Sequence, residues 1–112
     1  MNKEFVTYEQ ALTLKKLGFN EPCLSYYEGE SFSHHLAIIG KDDYITPAPL
    51  YQQAFRWFRE KYGFLSYVDM DNYSFYRYTI YKGRGISDAP HETYEEAESA
   101  CIDKLIEIVK SK

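Results

Sequence analysis

Residues 47–63 read Pro-Ala-Pro-Leu-Tyr-Gln-Gln-Ala-Phe-Arg-Trp-Phe-Arg-Glu-Lys-Tyr-Gly, and this stretch decides the architecture. Leu50, Ala54, Trp57 and Phe58 recur at i, i+4, i+7 and i+8, the spacing that lines up side chains along one stripe of an α-helix. Tyr51, Phe55 and Tyr62 widen the stripe to more than half of the circumference, and Gln52, Gln53, Arg56, Arg59 and Glu60 are left for water. A helix this apolar needs a second layer over it, and a sheet is the expected cover. Two prolines suit a first turn, so the helix is expected to open at Thr46-Pro47-Ala48-Pro49. Gly63, followed by the apolar Phe64, ends it.

The flanking segments supply that layer. Towards the N-terminus, Thr7 and Gln10 form a capping box for a helix over about 8–17, with Ala11, Leu14 and Leu17 at helical spacing and Gly18-Phe19 as its stop. Short strands are expected at 23–27 and 36–40 around the turn Glu28-Gly29-Glu30-Ser31, with a loop over 41–45. On the other side, 65–70 and 73–81 read as a hairpin about Asp71-Asn72, and 86–87 as a short edge strand after Lys82-Gly83-Arg84-Gly85. A last helix runs over about 94–110, capped by Thr93 with Glu96, with Ala97, Cys101, Leu105 and Ile108 in one apolar row. The order α-β-β-α-β-β(-β)-α, without linkers or repeats, predicts a single α+β domain over 1–112 with a mainly antiparallel sheet and three helices. The expected core is Leu14, Leu17, Leu24, Ile38, Leu50, Ala54, Trp57, Phe58, Ile80, Ala97, Cys101 and Leu105.

Composition narrows the function class. Aromatic residues make up 18% of the chain and 12 of them are Tyr, a residue suited equally to half-buried strands and to binding surfaces. The net charge of −4 disfavours a protein that coats nucleic acid or anionic lipid. The charge is also uneven: residues 56–84 carry six basic and three acidic side chains, and residues 88–107 carry seven acidic and one basic. Two cysteines, Cys23 and Cys101, make no disulfide framework. With neither an apolar leader nor a run near the ~20 residues of a membrane span, the expected setting is the cytoplasm, with no membrane contact.

Few residues point to catalysis. Adjacent His34 and His35 in a strand would face opposite sides, and Asp69 with Asp71 fits a hairpin end as readily as a metal, so no metal or cofactor is expected. Cys101 falls in an apolar helical row, where a thiol behaves as a small hydrophobe. Cys23 and the histidines show no local signature of a nucleophile and its base, so a hydrolase ranks last and a non-enzymatic protein is expected. Lys82-Gly83-Arg84-Gly85 is basic and glycine-rich, but no helix follows whose amides would cradle a phosphate.

Three stretches carry a resemblance. Residues 5–23 (Phe-Val-Thr-Tyr-Glu-Gln-Ala-Leu, then Leu-Gly-Phe and Glu-Pro-Cys), residues 48–62 and Thr93-Tyr94-Glu95-Glu96-Ala97-Glu98 resemble a group of small uncharacterised proteins of phages and mobile elements in Bacteroides-like gut bacteria. The resemblance covers most of the chain, least so 27–45, and implies a cytoplasmic accessory protein without assigning any residue a role. From Pro49 onward the element order is also similar to a double-stranded-RNA-binding domain. The last helix of that family opens on a basic cluster; here it opens on Glu95, Glu96 and Glu98, which would repel phosphate.

What remains is binding. In the strand at 73–81, Tyr73, Phe75, Arg77, Thr79 and Tyr81 share one side and Ser74, Tyr76, Tyr78 and Ile80 the other. Three helices need a sheet face, and the side with Arg77 is the expected one to be covered. If it stands open, Tyr73, Phe75, Arg77, Tyr81 and Arg84 form the partner-binding residues for another protein or for a homodimer, with the acidic start of the last helix steering a basic partner. The alternative is single-stranded nucleic acid held by stacking on Tyr and by Arg77, Lys82 and Arg84.

Overall fold

A computed structural model describes residues 3–33, 45–83, 85–87 and 90–111. These form three helices and two three-stranded antiparallel sheets, an α+β fold in the expected order. The chain divides into two compact units, Met1–Gln53 and Ala54–Lys112.

In the first unit, helix α1 spans Tyr8–Lys16 and carries the capping box in full. Gln10 N–H donates to Thr7 Oγ1 at 3.2 Å, and Thr7 N–H donates to Gln10 Oε1 at 2.9 Å. Its end is a Schellman motif, with Phe19 N–H on Leu14 O at 2.9 Å and Gly18 at φ 105°. Strands β1 (Tyr26–Glu28), β2 (Ser31–Ser33) and β3 (Ile45–Pro47) pair in the order β2-β1-β3. Gly29-Glu30 is the tight β1–β2 turn. Tyr27 is buried and its hydroxyl donates to Val6 O at 2.8 Å.

The sequence reading differs here at Leu24, at 45–47, and at 31–33, where β2 begins inside the expected turn. The strand expected at 36–40 lies outside the described residues, as does Ile38. Leu24 is 58% exposed, because the alternation set by Tyr27 turns Cys23 and Ser25 inward and Leu24 outward. Residues 45–47, assigned to a loop and to the helix opening, form β3. Pro47 and Pro49 each disfavour the helical region in the residue before them. The extended segment bonds instead through Ala48 N–H to Ser25 O (2.9 Å) and through Pro49 O to Val6 N–H (3.0 Å). Leu17 and Leu50, expected in the core, are only half-buried.

Helix α2 therefore spans Tyr51–Tyr62. Its stripe is buried as expected: Tyr51, Ala54, Phe55 and Phe58 are inside and Trp57 is 6% exposed, while Gln52, Arg56, Arg59 and Glu60 face water. The Trp57 ring meets Phe58 edge-on at 5.0 Å and Tyr62 at 5.7 Å. The helix closes with Gly63 at φ 79°, whose N–H reaches Arg59 O at 3.0 Å.

In the second unit, strands β4 (Leu65–Met70), β5 (Tyr76–Tyr81) and β6 (Gly85–Ser87) form a sheet in the order β4-β5-β6. Helix α3 spans Tyr94–Lys110 and packs on β5 and β4. Its Ala97, Cys101, Ile102 and Leu105 are buried, as are Tyr78 and Ile80 of β5. Thr93 Oγ1 caps α3 by accepting from Glu96 N–H at 3.0 Å. The Glu96 carboxylate reaches past the cap to Glu92 N–H at 3.2 Å, so the reciprocal bond of a capping box is shifted by one residue.

Candidate functional site

The β4–β5 hairpin pairs Leu65 with Tyr81, Tyr67 with Thr79, Asp69 with Arg77 and Met70 with Tyr76. Directly opposed residues of an antiparallel pair project to the same side. Two faces follow. Ser66, Val68, Tyr78 and Ile80 lie on the side that α3 covers, and burial of Tyr78 and Ile80 fixes it. Leu65, Tyr67 and Asp69 share the other side with Phe75, Arg77, Thr79 and Tyr81. That side is open: Leu65 and Tyr67 are each 47% exposed and Tyr81 is 50% exposed.

This corrects the expectation that the face bearing Arg77 would be the covered one. One helix, α3, takes the opposite face, and Tyr78 with Ile80 is the more apolar pair to give it. The aromatic face is left to solvent.

The expected site residues separate. Arg77 and Tyr81 sit on the open face, with Phe75 just before β5 on the same parity. Tyr73 lies outside the strand, in a five-residue loop spanning 71–75, and at 81% it is the most exposed of the large apolar side chains described. The two-residue turn at Asp71-Asn72 is thus replaced by a longer loop. The Asp71 carboxylate organises it by accepting from Tyr73 N–H at 2.8 Å and Phe75 N–H at 3.0 Å, while Ser74 takes φ 69°. Arg84 lies outside the described residues. Met70 is exposed too, but on the parity of Val68 and Tyr78; Leu65 and Tyr67 join the apolar set of the open face without having been singled out in the sequence. Their signal was the alternation in Leu-Ser-Tyr-Val-Asp-Met, but only the register shows that it aligns with Tyr81 and Arg77.

The cations have local tasks. Arg77 Nε lies 3.4 Å from Asp69 Oδ1 across the hairpin, with both side chains about half exposed. Lys82 Nζ donates to Tyr62 O at 2.8 Å and stands 4.9 Å over the Phe64 ring. It thereby meets a terminal carbonyl at the negative end of α2. Neither is arranged to follow a phosphate backbone.

The chemical candidates resolve similarly. Asp69 and Asp71 are engaged with Arg77 and with the loop amides. His34 and His35 lie outside the described residues, and His91 pairs through its backbone with Tyr76. Among the described residues no group of three or more His, Cys, Asp or Glu is placed to hold a metal ion. Cys101 is buried in α3. Cys23 is buried beside Glu21, whose carbonyl oxygen lies 3.5 Å from its sulfur. Burial, and then the Glu21 charge, push its thiol up to about 12, so it stays protonated at neutral pH and is a poor nucleophile. Of the acidic run that opens α3, Glu98 is buried, Glu95 is half-buried, and Glu96 is exposed with its carboxylate on the Glu92 N–H.

Among the described residues no helix is long and apolar enough to cross a membrane. The chain matches no protein-family model, no curated protein and no solved structure with which it was compared.

Proposed function

We propose that this chain is a non-enzymatic accessory protein that acts by binding another protein or a second copy of itself through the open face of β4 and β5. The carrying observation is the row of half-exposed Leu65, Tyr67 and Tyr81 beside an Arg77–Asp69 pair. Aromatic and Arg side chains on one uncovered surface are the composition typical of protein interfaces. A contiguous apolar patch kept in water has a cost that a partner would remove. The resemblance in residues 5–23, 48–62 and 93–98 supports a phage or mobile-element origin and a cytoplasmic setting. The nucleic-acid reading is the weaker one, since Arg77 and Lys82 are bonded to Asp69 and to the Tyr62 carbonyl.

The test is the double variant Tyr67→Ser/Tyr81→Ser in sedimentation velocity and in affinity capture from a host lysate. Wild type is expected to self-associate or to retain one defined partner, and the variant to lose it while keeping its circular dichroism. A wild-type chain that stays monomeric and retains nothing overturns the proposal. Retention of single-stranded DNA or RNA in a low-salt gel shift would move the assignment to nucleic acid.

A further inference from the structure

The edge of the second sheet makes a more specific demand than its face. Strand β4 is the outer strand of β4-β5-β6, and at six residues it is the longest edge in the described structure; β2, β3 and β6 have three each. Proteins usually protect such an edge with Lys, Pro, a bulge or brevity. Leu65–Met70 contains no Lys and no Pro, and its one charge, Asp69, is engaged by Arg77.

The hydrogen-bond phase shows which groups are left over. Asp71 N–H donates to Phe75 O at 2.7 Å, and Tyr76 exchanges both backbone bonds with His91 on its far side, at 2.8 and 2.7 Å. An antiparallel ladder alternates between pairs that bond each other and pairs that do not. Counting back along the register, Leu65, Tyr67 and Asp69 turn their N–H and C=O groups to β5, and Ser66, Val68 and Met70 turn theirs away from it. Among the described residues those outward groups have no backbone partner.

We infer that this edge pairs with β4 of a second copy, antiparallel about a two-fold axis at Val68. The inference names the partner for the self-association reading above and rests on it. Symmetry and phase select the register. With Val68 opposite Val68 of the second copy, Ser66 falls opposite Met70 and Met70 opposite Ser66. Every outward N–H and C=O of both strands is then paired, about two bonds at each of the three pairs. A centre at Tyr67 leaves the Met70 groups without a β4 partner, and a centre at Asp69 sets like charges directly opposite. In the Val68 register each Asp69 meets Tyr67 of the other copy, and Arg77 stays beside its own Asp69. The two open faces merge into one across a six-stranded sheet. The seam is short, so the dimer belongs with interfaces below about 1,200 Å² and forms reversibly at micromolar concentrations.

Sedimentation equilibrium and amide exchange on the whole chain, between about 5 and about 500 µM, test this. Wild type is expected to dimerise, with the amides of Ser66, Val68 and Met70 exchanging at least about tenfold more slowly at the high concentration. The amides of Tyr67 and Asp69 should be protected equally at both. Val68→Pro removes an N–H that points off the sheet and should be monomeric with an unchanged circular dichroism spectrum. Met70→Lys charges the edge without touching the backbone and decides the matter if Val68→Pro fails to fold; it should weaken the dimer at least about tenfold. Glu60→Gln, an exposed substitution on α2, should leave the dimer intact. A wild-type monomer at about 500 µM overturns the inference, and so does a dimer that Met70→Lys leaves unchanged. A dimer lost in Tyr67→Ser/Tyr81→Ser but kept in Met70→Lys overturns it and upholds binding through the open face, as does a monomer that captures a different protein.

Discussion

Raising the pH should destabilise the fold through Cys23, by an amount that can be worked out. Burial, with the Glu21 charge second, lifts its thiol from 9.0 to about 12 in the folded chain. The folded state therefore holds a proton that the unfolded state releases above about pH 9. The folded value is the higher one, so the contribution is complete below about 9 and is lost as pH rises towards about 12. Integrating to about pH 11 gives a loss of about 2–3 kcal/mol, a large share of a small domain's stability. Burial also raises the Tyr27 hydroxyl, which adds a loss of the same sign at higher pH. Other groups titrate too, so the measurement is a comparison: urea unfolding of wild type and of Cys23→Ala, from about pH 7 to about pH 11. At neutral pH the variant should be the less stable, by the lost sulfur contacts. The gap should close by about 2–3 kcal/mol by about pH 11, because the variant has no thiol to ionise. Thiolate absorbance of the folded protein should show no Cys23 titration near 9. Parallel decline of the two proteins, or a folded-state thiolate appearing near 9, would refute the account of Cys23 as a buried, desolvated thiol.

Three further outcomes test the fold. Trp57→Ala should cost about 3–5 kcal/mol in chemical denaturation, since the indole is buried against Phe58 and Tyr62. Asp71→Ala removes the acceptor of two loop amides and should cost about 1–2 kcal/mol, while Asp71→Asn should restore part of it. Ser66→Ala should be neutral or stabilising by thermal melt, because Ser66 Oγ is buried and has no hydrogen-bond partner among the described residues.

The sequence by itself determined the helices, because their signals are local. Thr7 with Gln10, Gly18 with Phe19, Gly63 and Thr93 each fix a boundary within a few residues, and the Trp57 stripe needs only the helical period to declare which side is dry. Strand β4 and the antiparallel pairing of 65–70 with the chain after it were legible from alternation and a turn. Three things were not. Strand β3 was hidden because 45–47 has no period of its own: the two prolines keep the segment extended, and pairing with β1 makes it a strand. Tyr73 left the strand because the Asp71 side chain captures two amides, a choice that alternating side chains cannot report. Above all, residue types left the open face undecided, since Tyr falls on both sides of β5. Tertiary packing broke that tie: α3 lies on the side of Tyr78 and Ile80, and the side with Leu65, Tyr67 and Tyr81 stays exposed. Covering is a relation between segments far apart in the chain, so no local pattern encodes which face water keeps.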